Sequence, residues 1–257
     1  VKLPELLAEL NCVEHFFLRY VDNKGEHLRI RIKFENSKKA YEKLPRINKW
    51  IDYMMRQVLI NDVTYDIYFR EINRYGGKEI IEFCEKIFFK DSLTVEKILS
   101  YYDLNQIDNI EKSYIIGITF ILKNLTKGLE EMFQILDSMG FQNNYRKEYR
   151  EESRCYLQYV RSVLNECEEK YLDVKEEHLQ EKRALKIYAK KLENQIKLKK
   201  NTNKKENIIL SIIHMYCNRI TGNRIYENKY LAIVRHALYQ ILQQEKHYPK
   251  IASKDII

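Results

Sequence analysis

The pattern of apolar and polar positions changes period near the end of the first third of the chain. From Glu14 to Phe34 it is two-fold. EHFFLRY is aromatic-rich, VDNKG places Asp, Asn and Gly where a tight turn uses them, and HLRIRIKF alternates strictly. In that last run Leu28, Ile30, Ile32 and Phe34 share one face, and His27, Arg29, Arg31 and Lys33 share the other. Two such runs across a short Gly-containing turn predict a β-hairpin. Lys38–Leu59 fits a helix, and Val63–Tyr75 a further extended segment that ends at Gly76-Gly77.

After Gly77 the apolar spacing becomes three-to-four. Ile80, Phe83, Ile87 and Phe88 open it in Glu79–Phe89, and it continues through Asp91–Tyr102, Asn109–Leu122 and Leu125–Met139, which Gly140 stops. Tyr145–Leu172 and Glu176–Leu198 read as long charged helices, Asn201-Thr202-Asn203 as a loop, and Asn207–Arg219 and Glu227–Gln243 as closing helices. The expected class is α+β, with an antiparallel-type sheet (the hairpin plus a further strand) in about 1–77 backed by a helical region over about 78–245. No internal repeat or linker interrupts it, so 1–257 is expected to form a single domain.

Composition removes several alternatives. Seven Gly and three Pro leave too little turn material for an all-β sandwich or barrel. No apolar run approaches the ~18–20 residues of a membrane span; Ser113–Leu122 and Ile208–Ile213 are too short. Val1-Lys2-Leu3-Pro4 opens directly into an amphipathic stretch, without a secretory pattern. Five cysteines without CxxC suggest neither a disulfide framework nor a zinc site. Without GxGxxG or GxxxxGK[ST], no nucleotide-binding motif is present. A reduced, cytoplasmic protein with no cofactor, metal or membrane partner is expected. Its first residue is not Met, as expected of a processed chain or the tail of a longer polypeptide.

Lys and Arg number 45 against 37 Asp and Glu, a formal charge of +8. Much of the excess sits between Lys182 and Lys205, where ten Lys or Arg face Glu193 alone. Tyr188 is the single aromatic there and no RNA-binding motif accompanies it, so a solvated helix face is expected, not direct tRNA binding.

Three constellations carry candidate chemistry. Arg29 and Arg31 project the same way from one strand, with His27 beside them, and planar guanidinium forks match carboxylates or phosphates; the plainer reading is a solvated sheet face. In YFREINRYGG, Glu71 and Arg74 precede a Gly pair that tolerates positive φ and close ligand approach; the plainer reading is a turn with a local salt bridge. In SIIHMYCNR, His214, Cys217 and Asn218 share a helix face, yet one helix cannot offer a thiolate and an imidazole as a papain-like site does. No second His or carboxylate has metal-ligand spacing around His214.

Together and in this order, FFLRYVDNKGEHLRIRIKF, YFREINRYGG and SIIHMYCNRITG resemble the elimination domain at the C-terminus of class I lanthipeptide dehydratases, which also occurs as a separate protein in thiopeptide pathways. The likeness runs from about Leu6 to Leu238. In that family a strand usually precedes the FFLRY-like segment, so a truncated start is expected. The resemblance implies a tRNA-dependent dehydration in two stages. A partner enzyme or domain attaches glutamate to Ser or Thr of a precursor peptide, and the elimination domain expels it, leaving dehydroalanine or dehydrobutyrine. The family's elimination residues carry over to Arg31, Arg74 and His214, and Arg19, Arg29 and Glu71 join them as substrate-binding candidates. Oligomeric state is not legible in the residues; the resemblance implies a homodimer. Two other readings remain open at this point: a related enzyme that joins two dehydroalanines in a [4+2] cycloaddition, which generally departs from the arginine pattern, and a non-catalytic module that binds tRNA or a partner.

Overall fold

The computed structural model describes residues 2–247 apart from 24, 104, 199, 201 and 202. Lys199, Asn201 and Thr202 of the basic run and its loop therefore lie outside the described residues. The chain opens with α1 (Lys2–Leu10), followed by β1 (Glu14–Asp22), β2 (Gly25–Lys33) and α2 (Ser37–Arg56). Seven helices follow: α3 (Ile81–Tyr101), α4 (Ile107–Leu125), α5 (Leu129–Asp137), α6 (Arg146–Leu164), α7 (Lys175–Lys197), α8 (Lys205–Ile220) and α9 (Arg224–His247). The α+β class holds, and most helices fall where the three-to-four spacing predicts them.

At the centre is α4. Its stretch from Ser113 to Leu122 is buried at every position, packed among α6, α7, α8 and α9. A run this uniformly apolar has no polar side to give to solvent, so helices must surround it. Among the described residues, no helix is long and apolar enough to cross a membrane. At Gly117 the α4 backbone meets the ring of Tyr216 on α8, whose hydroxyl donates to the Ser113 carbonyl at 2.6 Å. A Cβ at that position collides with the ring. Gly117→Ala is therefore expected to lower the urea midpoint. Overpacking costs about 1–3 kcal/mol, against a gain in helix propensity of about 1 kcal/mol. An alanine variant as stable as the parent would show that α4 and α8 part freely there.

Two boundaries differ from the periodicity. The segments expected over Glu79–Phe89 and Asp91–Tyr102 form one continuous helix, α3, because Lys90 between them only turns a polar side chain outward, to Gln180 at 2.8 Å. The helix expected to reach Leu172 ends at Leu164, where Glu166 takes a φ of +56° and a short 3-10 turn follows at Glu168–Lys170.

The hairpin forms as predicted, with Phe16 opposite Arg31, Phe17 opposite Ile30 and Asp22 opposite Gly25. Phe16 and Phe17 are buried, and β1 lies against α3 and α8. Side chains from those helices close the outer edge of β1: the Phe17 amide donates to Ser92 Oγ at 3.4 Å, the Arg19 amide donates to Asn218 Oδ1 at 2.9 Å, and Asn218 Nδ2 donates to the Arg19 carbonyl at 2.8 Å.

The further strand expected in 63–75 is a correction. Among the described residues the sheet has two strands, and 63–71 runs without strand pairing. Its side chains are committed elsewhere: Arg70 pairs with Glu82 and Glu85 on α3, and Tyr65 donates to Asn48 on α2 at 2.6 Å. The Gly pair behaves as expected, with φ of +90° at Gly76 and +111° at Gly77, and a side chain at Gly76 would also strike Ile80.

Candidate functional site

The alternation of β2 places His27, Arg29 and Arg31 on the face that Phe16, Leu18 and Tyr20 occupy on β1. That face is not simply solvated. It forms part of a cleft of about 1990 Å³ between the hairpin, α2 and the segment after it. The Arg29 guanidinium lies 3.4 Å from the centroid of the Tyr20 ring, and its Nε donates to His27 Nε2 at 3.3 Å. Arg31 lies 5.2 Å from the Tyr68 ring. Burial, reinforced by Glu85, pushes the Tyr68 phenol well above its ordinary range, so the ring under Arg31 stays neutral. Arg31 Nε is buried and has no hydrogen-bond partner among the described residues. An unpaired guanidinium donor at a cleft wall is costly unless something else fills it.

Arg19 points to the opposite face of the sheet. Its Nε donates to the Arg219 carbonyl at 2.9 Å, and its aliphatic stem packs against Gly222. This holds the C-terminal end of α8 to the hairpin, and Arg19, Asn218 and Asn223 all line the cleft.

One turn earlier on α8 is His214, its side chain 33% exposed. Nδ1 lies 2.9 Å from Glu227 Oε2, and Arg224 Nη1 lies 2.7 Å from Glu227 Oε1. Arg224 Nη1 is also 2.8 Å from His214 Nδ1. The Glu227 carboxylate can only accept, so the arrangement that satisfies it puts the proton on Nδ1: imidazole and guanidinium both donate to Glu227, and Arg224 Nη1 lies beside Nδ1 without bonding to it. Nε2 is then the lone-pair nitrogen, and it has no partner among the described residues. Glu227 is 5% exposed, so this carboxylate is held by its two donors and not by water. Burial pushes the neighbouring Cys217 thiol well up, which removes it as a nucleophile.

Arg74 belongs to a third group. It pairs with Glu71 at 3.2 Å in an exposed ion pair and lies 5.5 Å from the Tyr75 ring. Tyr75 and Tyr68 both pack on the Phe16–Phe88 pair, so Arg31 and Arg74 flank one aromatic cluster. Asn203 donates to the Arg74 carbonyl at 3.4 Å, just ahead of α8. His214 lies about 14 Å along that helix at ~1.5 Å per residue. Arg19, Arg29 and Arg31 thus line the cleft, whereas Arg74, Glu71 and His214 stand outside its lining; among the described residues no hydrogen bond joins Arg31, Arg74 and His214.

Several contributors escaped the sequence reading. Glu227 and Arg224 come from the helix after His214, and only the antiparallel turn at Thr221–Asn223 brings them to the imidazole. Arg219 stood in the quoted motif, yet its burial against Asp91 had no signal in spacing. The basic run is partly neutralised: Lys182 pairs with Glu166 at 2.7 Å, and Lys205 with Glu131 and Glu193 at 2.6 and 2.5 Å. No metal-binding group of His, Cys, Asp and Glu occurs among the described residues.

The family model described as lantibiotic biosynthesis dehydratase C-term matches residues 2–239. The subtilin biosynthesis protein SpaB of Bacillus subtilis is 30% identical over 236 residues, covering 88% of this chain and 22% of SpaB. The chain thus spans about a fifth of the length of the curated relatives it matches. The crystal structure of the tRNA-dependent lantibiotic dehydratase MibB from Microbispora sp. 107891 superposes with a TM-score of 0.81 at 20% identity, over 95% of this chain and 26% of that one. TsrL superposes with a TM-score of 0.65 at 11% identity, over 94% of this chain and 89% of TsrL. These two likenesses show the fold.

Proposed function

The chain belongs to the lantibiotic biosynthesis dehydratase C-terminal family, and from that premise we propose that it expels glutamate from glutamylated Ser or Thr of a precursor peptide, a lyase step that leaves dehydroalanine or dehydrobutyrine. The observation that carries the reading is the buried, unpartnered Nε of Arg31 at the cleft wall, a donor in want of an anionic acceptor.

The chemistry fits the groups at hand. A serine hydroxyl leaves poorly, whereas esterified glutamate departs as a carboxylate. Nε2 of His214 takes the weakly acidic Cα proton; the electron pair of that C–H bond becomes the Cα=Cβ double bond, the Cβ–O bond breaks, and glutamate leaves with its electrons. Glu227 holds the imidazole in the tautomer this requires and stabilises the imidazolium that forms. Arg31 and Arg29 receive the glutamyl group and the charge developing on its ester oxygen. Arg74, given its distance from His214 along α8, takes the far carboxylate of the adduct in exchange for Glu71, and Arg19 keeps the end of α8 beside the hairpin. Residues 1–257 act as one domain in this reading, and glutamate is attached by a separate domain or protein, so the chain itself has no need of tRNA. A homodimer is compatible with the scheme but supplies nothing to it.

The test is direct. Incubation with a peptide carrying one O-glutamyl serine is expected to release free glutamate and leave a residue one water lighter than serine, read by mass spectrometry. Unchanged glutamyl peptide, or a macrocycle formed from dehydrated peptide without glutamate release, would overturn the assignment.

A further inference from the structure

The ladder between β1 and β2 decides which main-chain groups of β2 face outward. In an antiparallel pair, residues opposite one another send their amides and carbonyls either both inward or both outward. Phe17 and Arg19 send theirs outward, to Ser92 and Asn218. Their ladder partners Ile30 and Leu28 therefore send theirs to the other side, as does Ile32 by alternation. No described residue pairs with those groups, and Leu28, Ile30 and Ile32 line the large cleft. An open row of strand donors and acceptors is a template for another strand.

The opposite wall is the apolar side of α2, which carries Leu44, Ile47, Ile51 and Met54 toward the cleft and buries no residue of its own. A free strand edge facing an apolar helix across a groove is the geometry in which peptides bind by strand addition: the main chain pairs with the edge, and alternate side chains settle on the helix. At about 1990 Å³ the cleft also exceeds the ~300–1,000 Å³ of small-molecule pockets, far more room than a glutamyl group fills.

We propose that an extended segment of the peptide substrate lies in this cleft as a third strand on β2, paired to the main chain of Leu28 and Ile30. This deepens the function proposed above and rests on it for the identity of the occupant. Charge supports that occupant. A strand added beside β2 turns alternate side chains to the face of His27, Arg29 and Arg31, where the glutamyl ester and the negative charge it develops find their cations. A second copy of the chain fits less well, because α2 stands across the edge and leaves a groove instead of a clear rim. The glutamylated residue is thereby held by the backbone of its neighbours, whatever their side chains.

Two measurements on the full chain separate this docking from the chemistry. In the first, ten-residue peptides with one O-glutamyl serine carry a single backbone N-methyl group at successive positions. Methylation at alternate residues is expected to raise KM at least tenfold, with the intervening positions little changed. In the second, amide hydrogen exchange at Leu28 and Ile30 is followed with the same peptide bearing unmodified serine; both amides are expected to slow. Uniform tolerance of N-methylation with unchanged exchange would overturn the docking while leaving elimination intact. Slowing without peptide that grows with protein concentration would also overturn it, by assigning the edge to a second copy. Slowed exchange with no glutamate release from any peptide would support the docking and sink the proposed chemistry alone.

Discussion

His214→Ala is expected to lower kcat for glutamate release by about 10²–10⁴-fold, the usual contribution of a positioned general base, with KM for the glutamyl peptide little changed. The variant takes one of its two donors from the buried Glu227, so its denaturation midpoint should fall modestly, while Arg224 still holds the carboxylate and the fold persists. Because the emptied site is open to solvent, added imidazole should restore part of the rate, a readout that a structural role would not produce. Arg31→Ala should behave differently, raising KM strongly as well as lowering kcat, because it removes a donor that meets the glutamyl ester on binding and the charge that develops there afterwards. Cys217→Ala should leave the rate alone, since that thiol is buried and held protonated. Full activity in His214→Ala would remove the imidazole from the mechanism and leave the fold standing.

The second large effect falls on stability. Arg219 is fully buried and pairs with Asp91, itself 2% exposed, on α3. Nearby, Glu181 accepts from Thr94 at 2.8 Å. Burial, and then the proximity of Asp91, pushes the Glu181 carboxyl well up. For Asp91, burial outweighs the pull of Arg219 and lifts its carboxyl to about 6. Arg219→Leu strands that carboxylate without its counter-charge and is expected to cost about 3–5 kcal/mol of unfolding free energy. Chemical denaturation should show this as a fall in midpoint with an unchanged slope. The double variant Arg219→Leu/Asp91→Leu should recover most of the loss, because apolar groups of similar shape replace a buried pair at small net cost. A single variant as stable as the parent would mean that water reaches the pair.

These two sites differ in how far they could be read beforehand. The hairpin and its stripe of arginines are local: a period of two, a Gly-containing turn and alternation suffice, and both are present in the structure, which adds the register. The central helix was visible as an apolar run too short for a membrane. The expected further strand was not realised, because local extension is compatible with both a strand and an irregular segment; the choice was made by partners on α2 and α3 that lie remote in sequence. In the same way His214 could be singled out, but not the buried Glu227 that orients it, since that contact depends on how α9 returns along α8.

By itself, the sequence determined the class of fold, the course of most helices though not all of their ends, and the side chains able to hold an anion or move a proton. Those properties follow from short-range backbone preference and side-chain chemistry, which need no distant partner. Only the tertiary structure decided which of these groups share a space. It divided six candidates between a cleft, an imidazole–carboxylate pair and an exposed salt bridge, and among the described residues it left one strand edge open opposite an apolar helix. Such choices depend on packing between segments as far apart as β1 and α8, and the energy that settles them resides in contacts, which no local pattern encodes.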